Sequence, residues 1–202
     1  MKAHLLVLAK TPVPGRVKTR LCPPCTPEEA ARIAAAALAD TVETVNATPA
    51  ARRTLVVEGD HPAPHGWTRV PQRGDGLPER LAHAFGSARG PALLVGMDTP
   101  QLTPALLTQA ADLLDGYDAV FGPAVDGGWW TLGLRDPSHG EVLRSIPTST
   151  SSTGARTLAA LRGRGLRVAM LPTLRDVDTA ADATEVAAIC GPGSRFAAVV
   201  GA

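Results

Sequence analysis

Aromatic residues make up only 3% of these 202 amino acids, so any core must be assembled mainly from Leu, Val and Ala. Cysteine is sparser still. Cys22, Cys25 and Cys190 are an odd number, which argues against a disulfide framework. Cys22-Pro23-Pro24-Cys25 has C-x-x-C spacing, yet it lacks both a helix start behind the first Cys and a second ligand pair, so neither a redox nor a zinc role is read from it. No run of about 20 apolar residues is present, and no signal-peptide pattern precedes the first apolar segment. The expectation is a cytoplasmic protein without a membrane partner. The formal net charge is only +1, which excludes a nucleic-acid binder that works by bulk electrostatics. Walker A and G-x-G-x-x-G strings are also absent. A chain of this length builds one sizeable core and is short for two, so residues 1–202 are expected to form a single domain. The tail from Gly191 is left without an element, and the oligomeric state is not legible.

One stretch has no acidic residue at all: none occurs before Glu28. Leu5 to Ala9 is a short apolar run that predicts a buried strand. Behind it, Pro12, Pro14 and Gly15 break the chain into a loop carrying Lys10, Arg16, Lys18 and Arg20. Ligands of open α/β sheets bind beyond the carboxyl ends of strands, where backbone N–H groups and Lys or Arg side chains suit a polyphosphate. This loop therefore reads either as a phosphate cradle or as a solvated basic loop, with Lys18 an exposed loop cation.

Further elements follow in order. Thr26 and Glu29 form a capping-box pattern with Pro27 at the first helical position, which predicts a helix to about Asn46. Strands are predicted at 54–58, 68–72, 91–96, 118–122, 129–134 and 166–171. Helices are predicted at 78–87, from the Thr103 cap to about Leu114, at 152–164, and from Asp178-Thr179 to about Ile189. His61 and His65 fall on a proline-containing loop and read as solvated. Alternating strands and helices imply a three-layer α/β/α domain with a mainly parallel sheet. The cationic loop, the 72–76 loop, Asp98 and the Asp126 loop would then converge at one sheet edge.

Asp98 follows the strongly apolar strand PALLVG. It reads either as a metal ligand, since Mg2+ takes one or two carboxylates plus phosphate oxygens, or as a turn residue before the Thr103 helix. Asp176-Val177-Asp178-Thr179 offers a second carboxylate, or an N-cap with Asp182 completing it. Asp126-Gly127-Gly128-Trp129-Trp130 is the most unusual string. Its glycines permit close backbone approach, and tryptophans in succession on a strand point to opposite faces. One ring can therefore be core while the other lines a pocket; a tight turn feeding a core strand is the alternative.

Taken in order, AKTPVPGRVKTRL, PQRGDGLPERLAHAF, LLVGMDTPQLT, GPAVDGGWWTLGL and RDVDTAADATEVA resemble a small family of GT-A-type glycosyltransferases with the nucleotide-diphospho-sugar transferase fold. That family includes members tied to arsenosugar biosynthesis and is related to the molybdenum-cofactor and phospholactate guanylyltransferases. The resemblance runs from about Leu5 to Ala188. It implies that the Ala9–Lys10 strand end, Gly15, Arg16, Lys18, Arg20, Gln72 and Gly76 bind a nucleotide, with Gln72 and Gly76 matching a base-reading segment. It implies Asp98 and Asp178 as ligands of Mg2+ or Mn2+, and Asp126, Gly127, Gly128, Trp129 and Trp130 as contacts for sugar or acceptor, with Asp126 and Lys18 catalytic. The chain departs from related patterns in lacking G-x-G-x-x-R-M, a full D-x-D triplet at Asp98-Thr99-Pro100, and an aromatic before Ser149-Thr150. The implied activity is transfer of a glycosyl group from a nucleotide-diphospho-sugar to a small-molecule acceptor. Nucleotidyl transfer from an NTP to a phosphorylated small molecule is the alternative, and a non-catalytic nucleotide-binding module is a third reading.

Overall fold

The computed structural model describes residues 2–201. Seven strands form one sheet: β1 (His4–Lys10), β2 (Arg52–Glu58), β3 (Thr68–Pro71), β4 (Ala92–Gly96), β5 (Ala119–Pro123), β6 (Trp129–Leu134) and β7 (Val168–Met170). Their spatial order is β3-β2-β1-β4-β6-β5-β7. Neighbouring strands are parallel except where β6 lies between β4 and β5, antiparallel to both. The linker is the reason. Residues 124–128 are too few for a crossover, so β5 and β6 must form a hairpin. The sheet is mainly parallel, as predicted, with one reversed strand.

Alternation along the strands builds the layers. Leu5, Val7 and Ala9 of β1 face one side, with Leu55 and Val57 of β2 and Leu93 and Val95 of β4. That side is covered by α1 (Pro27–Ala47) and α3 (Pro104–Leu113). Leu6, Val56, Leu94, Phe121 and Leu132 face the other side. There they meet α2 (Leu77–Gly86), α4 (Thr153–Gly163) and the 3-10 stretch Pro137–Ser145. Burying each such Leu or Phe stabilises the fold by roughly 1.5–3 kcal/mol. From α1, Ala31, Ala34, Leu38 and Val45 pack into the core on the first side.

The caps read from the sequence are present. Thr26 and Glu29 form a reciprocal capping box, Thr103 caps α3, and Thr179 with Asp182 caps α5 (Ala180–Ile189). One further helix follows what was expected to be the last: α6 (Arg195–Val200). Its Phe196 is fully buried in a third apolar cluster, with Ile33 and Ala37 of α1 and Val186 of α5. Asp40 of α1 holds it there, accepting from Ser194 Oγ at 2.7 Å, Phe196 N at 2.9 Å and Arg195 N at 3.1 Å. Among the described residues, no helix is long and apolar enough to cross a membrane.

Candidate functional site

The carboxyl ends of β1, β2, β4 and β5, together with the start of the reversed β6, share one sheet edge. Two cavities open there. The first, about 350 Å3, is lined by Ala9, Lys10, Arg16, Lys18 and Arg20 from β1 and its loop, and by Gln72 beyond β3. The second, about 320 Å3, is lined by Asp126, Gly128, Trp129 and Trp130 from the hairpin and by the hydroxyl-rich loop 148–153. Leu8, Arg20, Leu77, Asp98 and Asp178 line both, so the cavities meet at two carboxylates and a guanidinium.

One extended segment organises this junction. Residues 174–178 run between the hairpin turn and the exit of β4. Val125 N donates to Leu174 O at 3.0 Å, and Val177 N donates to Asp98 O at 2.8 Å. Val177 is buried in the third apolar cluster. In extended backbone, Asp176 and Asp178 therefore face the cleft together. Oxygens of Asp126, Asp176 and Asp178 all lie within 4.8 Å of one another. Burial first, then the charges of Asp126, Asp178 and Asp98, push the Asp176 carboxyl up to about 6.

Lys18 departs from its expected role as an exposed cation. Its side chain is only 7% exposed. The ammonium ion-pairs with Asp98, donates to Val177 O, and lies 3.9 Å from Asp178 Oδ1. A left-handed backbone at Lys18 (φ 50°) turns the side chain inward. Arg20 stays largely exposed and binds Asp178 Oδ2 at 2.9 Å. The basic loop is thus tied to the acidic segment beyond β7.

Gln72 is also engaged. Its Nε2 donates to Ala9 O at 2.7 Å and to Val56 O at 3.2 Å, pinning the ends of β1 and β2. Gly76 is the N-cap of α2 and lines neither cavity; Gly15 borders a separate surface hollow beside Lys10 and Arg16. Asp126 Oδ1 accepts from Gly128 N at 2.7 Å, closing the hairpin turn. Gly127 has φ 87°, and a Cβ there would sit 2.1 Å from Ser151 O. Gly154 N donates to Gly127 O at 2.8 Å. The close approach that these glycines permit is therefore to the chain's own loop. The tryptophans do split between faces. Trp130 belongs to the first core cluster and donates from Nε1 to Pro172 O at 3.0 Å, whereas half-buried Trp129 packs against the second cluster.

Several lining residues escaped the sequence reading. Asp176 joins the carboxylate group. Glu58 and Arg80 line the first cavity, ion-paired at 2.6 Å, with Lys10 Nζ 3.7 Å from the same Glu58 oxygen. Thr99 lines the second cavity, and its buried Oγ1 has no hydrogen-bond partner among the described residues. Glu58 ends β2, so the strand-end rule that singled out Asp98 applies to it as well.

The profile of a family described as uncharacterized protein conserved in bacteria (DUF2064) matches residues 31–150, more than half of the chain. The chain belongs to this family. The DUF2064 match takes in Glu58, Gln72, Asp98 and Asp126, while Lys18, Arg20, Asp176 and Asp178 lie outside it. No curated protein matches the chain. Among solved structures, a candidate nucleotide-diphospho-sugar transferase from Desulfovibrio desulfuricans G20 is similar at 27% identity and TM-score 0.88, over 99% of this chain and 94% of that one. Rv0371c from Mycobacterium tuberculosis H37Rv, in complex with manganese, is similar in fold at 20% identity and TM-score 0.60, over 92% and 97%. So is 2-C-methyl-D-erythritol 4-phosphate cytidylyltransferase from Thermus thermophilus, at 12% identity and TM-score 0.55, over 100% and 98%. This DUF2064 member has the nucleotide-diphospho-sugar transferase fold.

Proposed function

We propose that the chain is a single-domain, metal-assisted glycosyltransferase that takes a nucleoside diphosphate-sugar and passes the glycosyl group to a small acceptor. One observation carries this reading. A cation-lined cavity and a cavity lined by an aromatic face and hydroxyls meet at Asp98, Asp178 and Arg20. That is the division a donor needs, with diphosphate on one side and sugar plus acceptor on the other. The similarity to the Desulfovibrio protein supports the same substrate class.

The carboxylates fit a hard divalent cation. Asp126, Asp176 and Asp178 crowd their oxygens together, and Asp176 resists ionising among its neighbours. A crowded all-oxygen set of this kind suits Mg2+ or Mn2+. Of this acidic group, Asp176 and Asp178 would hold the ion together with Asp98, leaving Asp126 to the acceptor, and the ion would neutralise charge on the leaving diphosphate. The manganese complex of Rv0371c is consistent with this choice.

The chain's own residues supply the rest. Lys18 and Arg20 lie beside Asp98 and Asp178, where they stabilise the negative charge that develops on the diphosphate. Lys10 and Arg16 extend the positive lining outward. The Asp126 oxygen not used by Gly128 N takes the proton from the acceptor hydroxyl. Trp129 offers an apolar face to a sugar ring.

Nucleotidyl transfer is the second reading. The four cations from Lys10 to Arg20 would also suit a triphosphate, and the Thermus neighbour is a cytidylyltransferase. Product analysis separates the two. The protein is incubated with NDP-sugars or NTPs and candidate acceptors, and free NDP and pyrophosphate are followed separately. NDP release that is lost in Asp126→Ala, with nucleotide affinity retained, supports glycosyl transfer. Pyrophosphate release from an NTP with no turnover of any NDP-sugar reverses the order.

A further inference from the structure

We infer that the nucleotide is a guanine nucleotide, read by Glu58; the inference rests on the nucleotide-binding reading above. The first cavity has two chemically distinct ends. Lys18, Arg20, Asp98 and Asp178 crowd one end, which suits phosphate and metal. The rest of the cavity lies over the ends of β1 and β2, where Glu58, Gln72 and Arg80 line it with Met97, and Leu8 and Leu77 carry its apolar lining on to the junction with the second cavity. A flat base fits between such apolar side chains, and its edge must then meet the polar groups there.

Those groups present mainly acceptors. Gln72 has both its cavity position and its donor fixed, because Nε2 is held by Ala9 O and Val56 O. Only its Oε1 is left to meet a ligand. Glu58 uses Oε2 to accept from Arg80 Nη1 at 2.6 Å, and Lys10 Nζ approaches the same oxygen at 3.7 Å. Among the described residues, Glu58 Oε1 has no hydrogen-bond partner. Two acceptor oxygens therefore line this end, with the Arg80 guanidinium as an adjacent donor.

The bases differ in how well they match that set. Guanine carries donors on two adjacent atoms, N1–H and the 2-amino group, with the O6 acceptor beside them. Glu58 Oε1 and Gln72 Oε1 take the two donors, and Arg80 or Lys10 can reach O6. Uracil has a single N–H between two carbonyls, so its carbonyls would face acceptors. Adenine and cytosine each place a ring-nitrogen lone pair next to their amino group, again against an acceptor. A polar group left unmatched in a site built to pair it is what gives strong discrimination.

The test is calorimetric titration of the wild-type protein, in Mg2+, with GDP, IDP, UDP, CDP and ADP, and of Glu58→Gln with GDP and UDP. GDP should bind at least about 10-fold more tightly than UDP, CDP or ADP, the scale of one good two-point base contact. IDP, which lacks the 2-amino group, should fall between GDP and the rest. Glu58→Gln turns one acceptor into a donor and should collapse the GDP-to-UDP ratio, whereas a merely structural defect would weaken both equally. UDP, CDP or ADP binding as tightly as GDP, or a ratio unchanged in Glu58→Gln, overturns the guanine assignment alone. If no nucleoside diphosphate binds, the guanine assignment and the nucleotide-binding reading both fall.

Discussion

Replacing Lys18 by Met keeps the length of the side chain and removes the ammonium from between Asp98 and Asp178. Breaking a fully buried ion pair costs about 3–5 kcal/mol, whereas an exposed pair contributes about 0–1 kcal/mol. Lys18 is 7% exposed but Asp98 is 46% exposed, so water can resolvate the carboxylate once its partner has gone. The Val177 carbonyl also loses its donor. An intermediate loss of about 1–2 kcal/mol follows. For a chain of this size it lowers Tm by about 2–8 °C. The freed carboxylates should then respond more strongly to a divalent cation, because nothing internal competes for them. Scanning calorimetry with and without Mn2+ measures both effects. The expected result is a lower Tm for Lys18→Met without metal, and a larger Mn2+-induced rise than in the wild type. An unchanged Tm without metal would show that the ammonium does not hold this junction together. A Mn2+ response larger in the wild type would show that it does not compete with a cation.

Asp98→Asn keeps the shape of Asp98 and removes its charge; the wild-type Mn2+ binding heat should be lost, and its persistence would leave Asp98 as a turn residue only. Gly127→Ala places a Cβ against Ser151 O at a backbone with φ 87°, so stability should drop by about 2–4 kcal/mol in a denaturant titration; a loss under about 1 kcal/mol would refute the tight packing. His4 is buried, with Nδ1 accepting from Arg89 N at 3.2 Å and Nε2 2.8 Å from Thr54 Oγ1. Burial first, then Arg52, lowers its pKa from the ordinary 6.5. Its contribution is thus intact above pH 6.5 and is lost as pH falls below that value toward the folded pKa. His4→Gln should show a shallower acid-side decline in Tm, and parallel profiles would rule this out. Asp40→Ala removes the acceptor of four hydrogen bonds from the 194–196 segment and should cost about 2–3 kcal/mol. Limited proteolysis should then cut the variant near residues 191–194 faster than the wild type, and equal rates would count against the clasp.

Much of the framework was legible because it is local. The capping pairs Thr26–Glu29 and Thr179–Asp182, the proline at the first position of α1, and the apolar run of β4 each carry their own signal. The reversal of β6 had a signal as well, since five residues cannot make a crossover, but the alternation of strands and helices elsewhere in the chain masked it. The inward turn of Lys18 was not legible. It depends on a left-handed backbone at one residue and on an acidic segment about 160 positions away in the chain. Helix α6 was also hidden. Its six residues are too short to show a period, and it forms against Asp40 and the third apolar cluster rather than from propensity. Asp176 was seen as part of an acidic string but not chosen, although a buried Val177 between two carboxylates places both on one side of an extended strand.

The contact between the β5–β6 turn and the start of α4 has a mechanical consequence. Gly154 N is bonded to Gly127 O, and each of these glycines is in contact with backbone of the other segment, so there is no slack for sliding. The turn that carries Asp126 and the loop that carries Ser149 to Thr153 are two walls of one cavity, and they are riveted together at this contact. Any displacement of the serine- and threonine-rich wall drags the Asp126 carboxylate with it, so the separation between the two walls is set by the rivet and resists adjustment by the ligand. Under the proposed function, a cavity with such a fixed gauge would select its guest by width, and acceptors that differ in girth would be sorted more sharply than acceptors that differ in length.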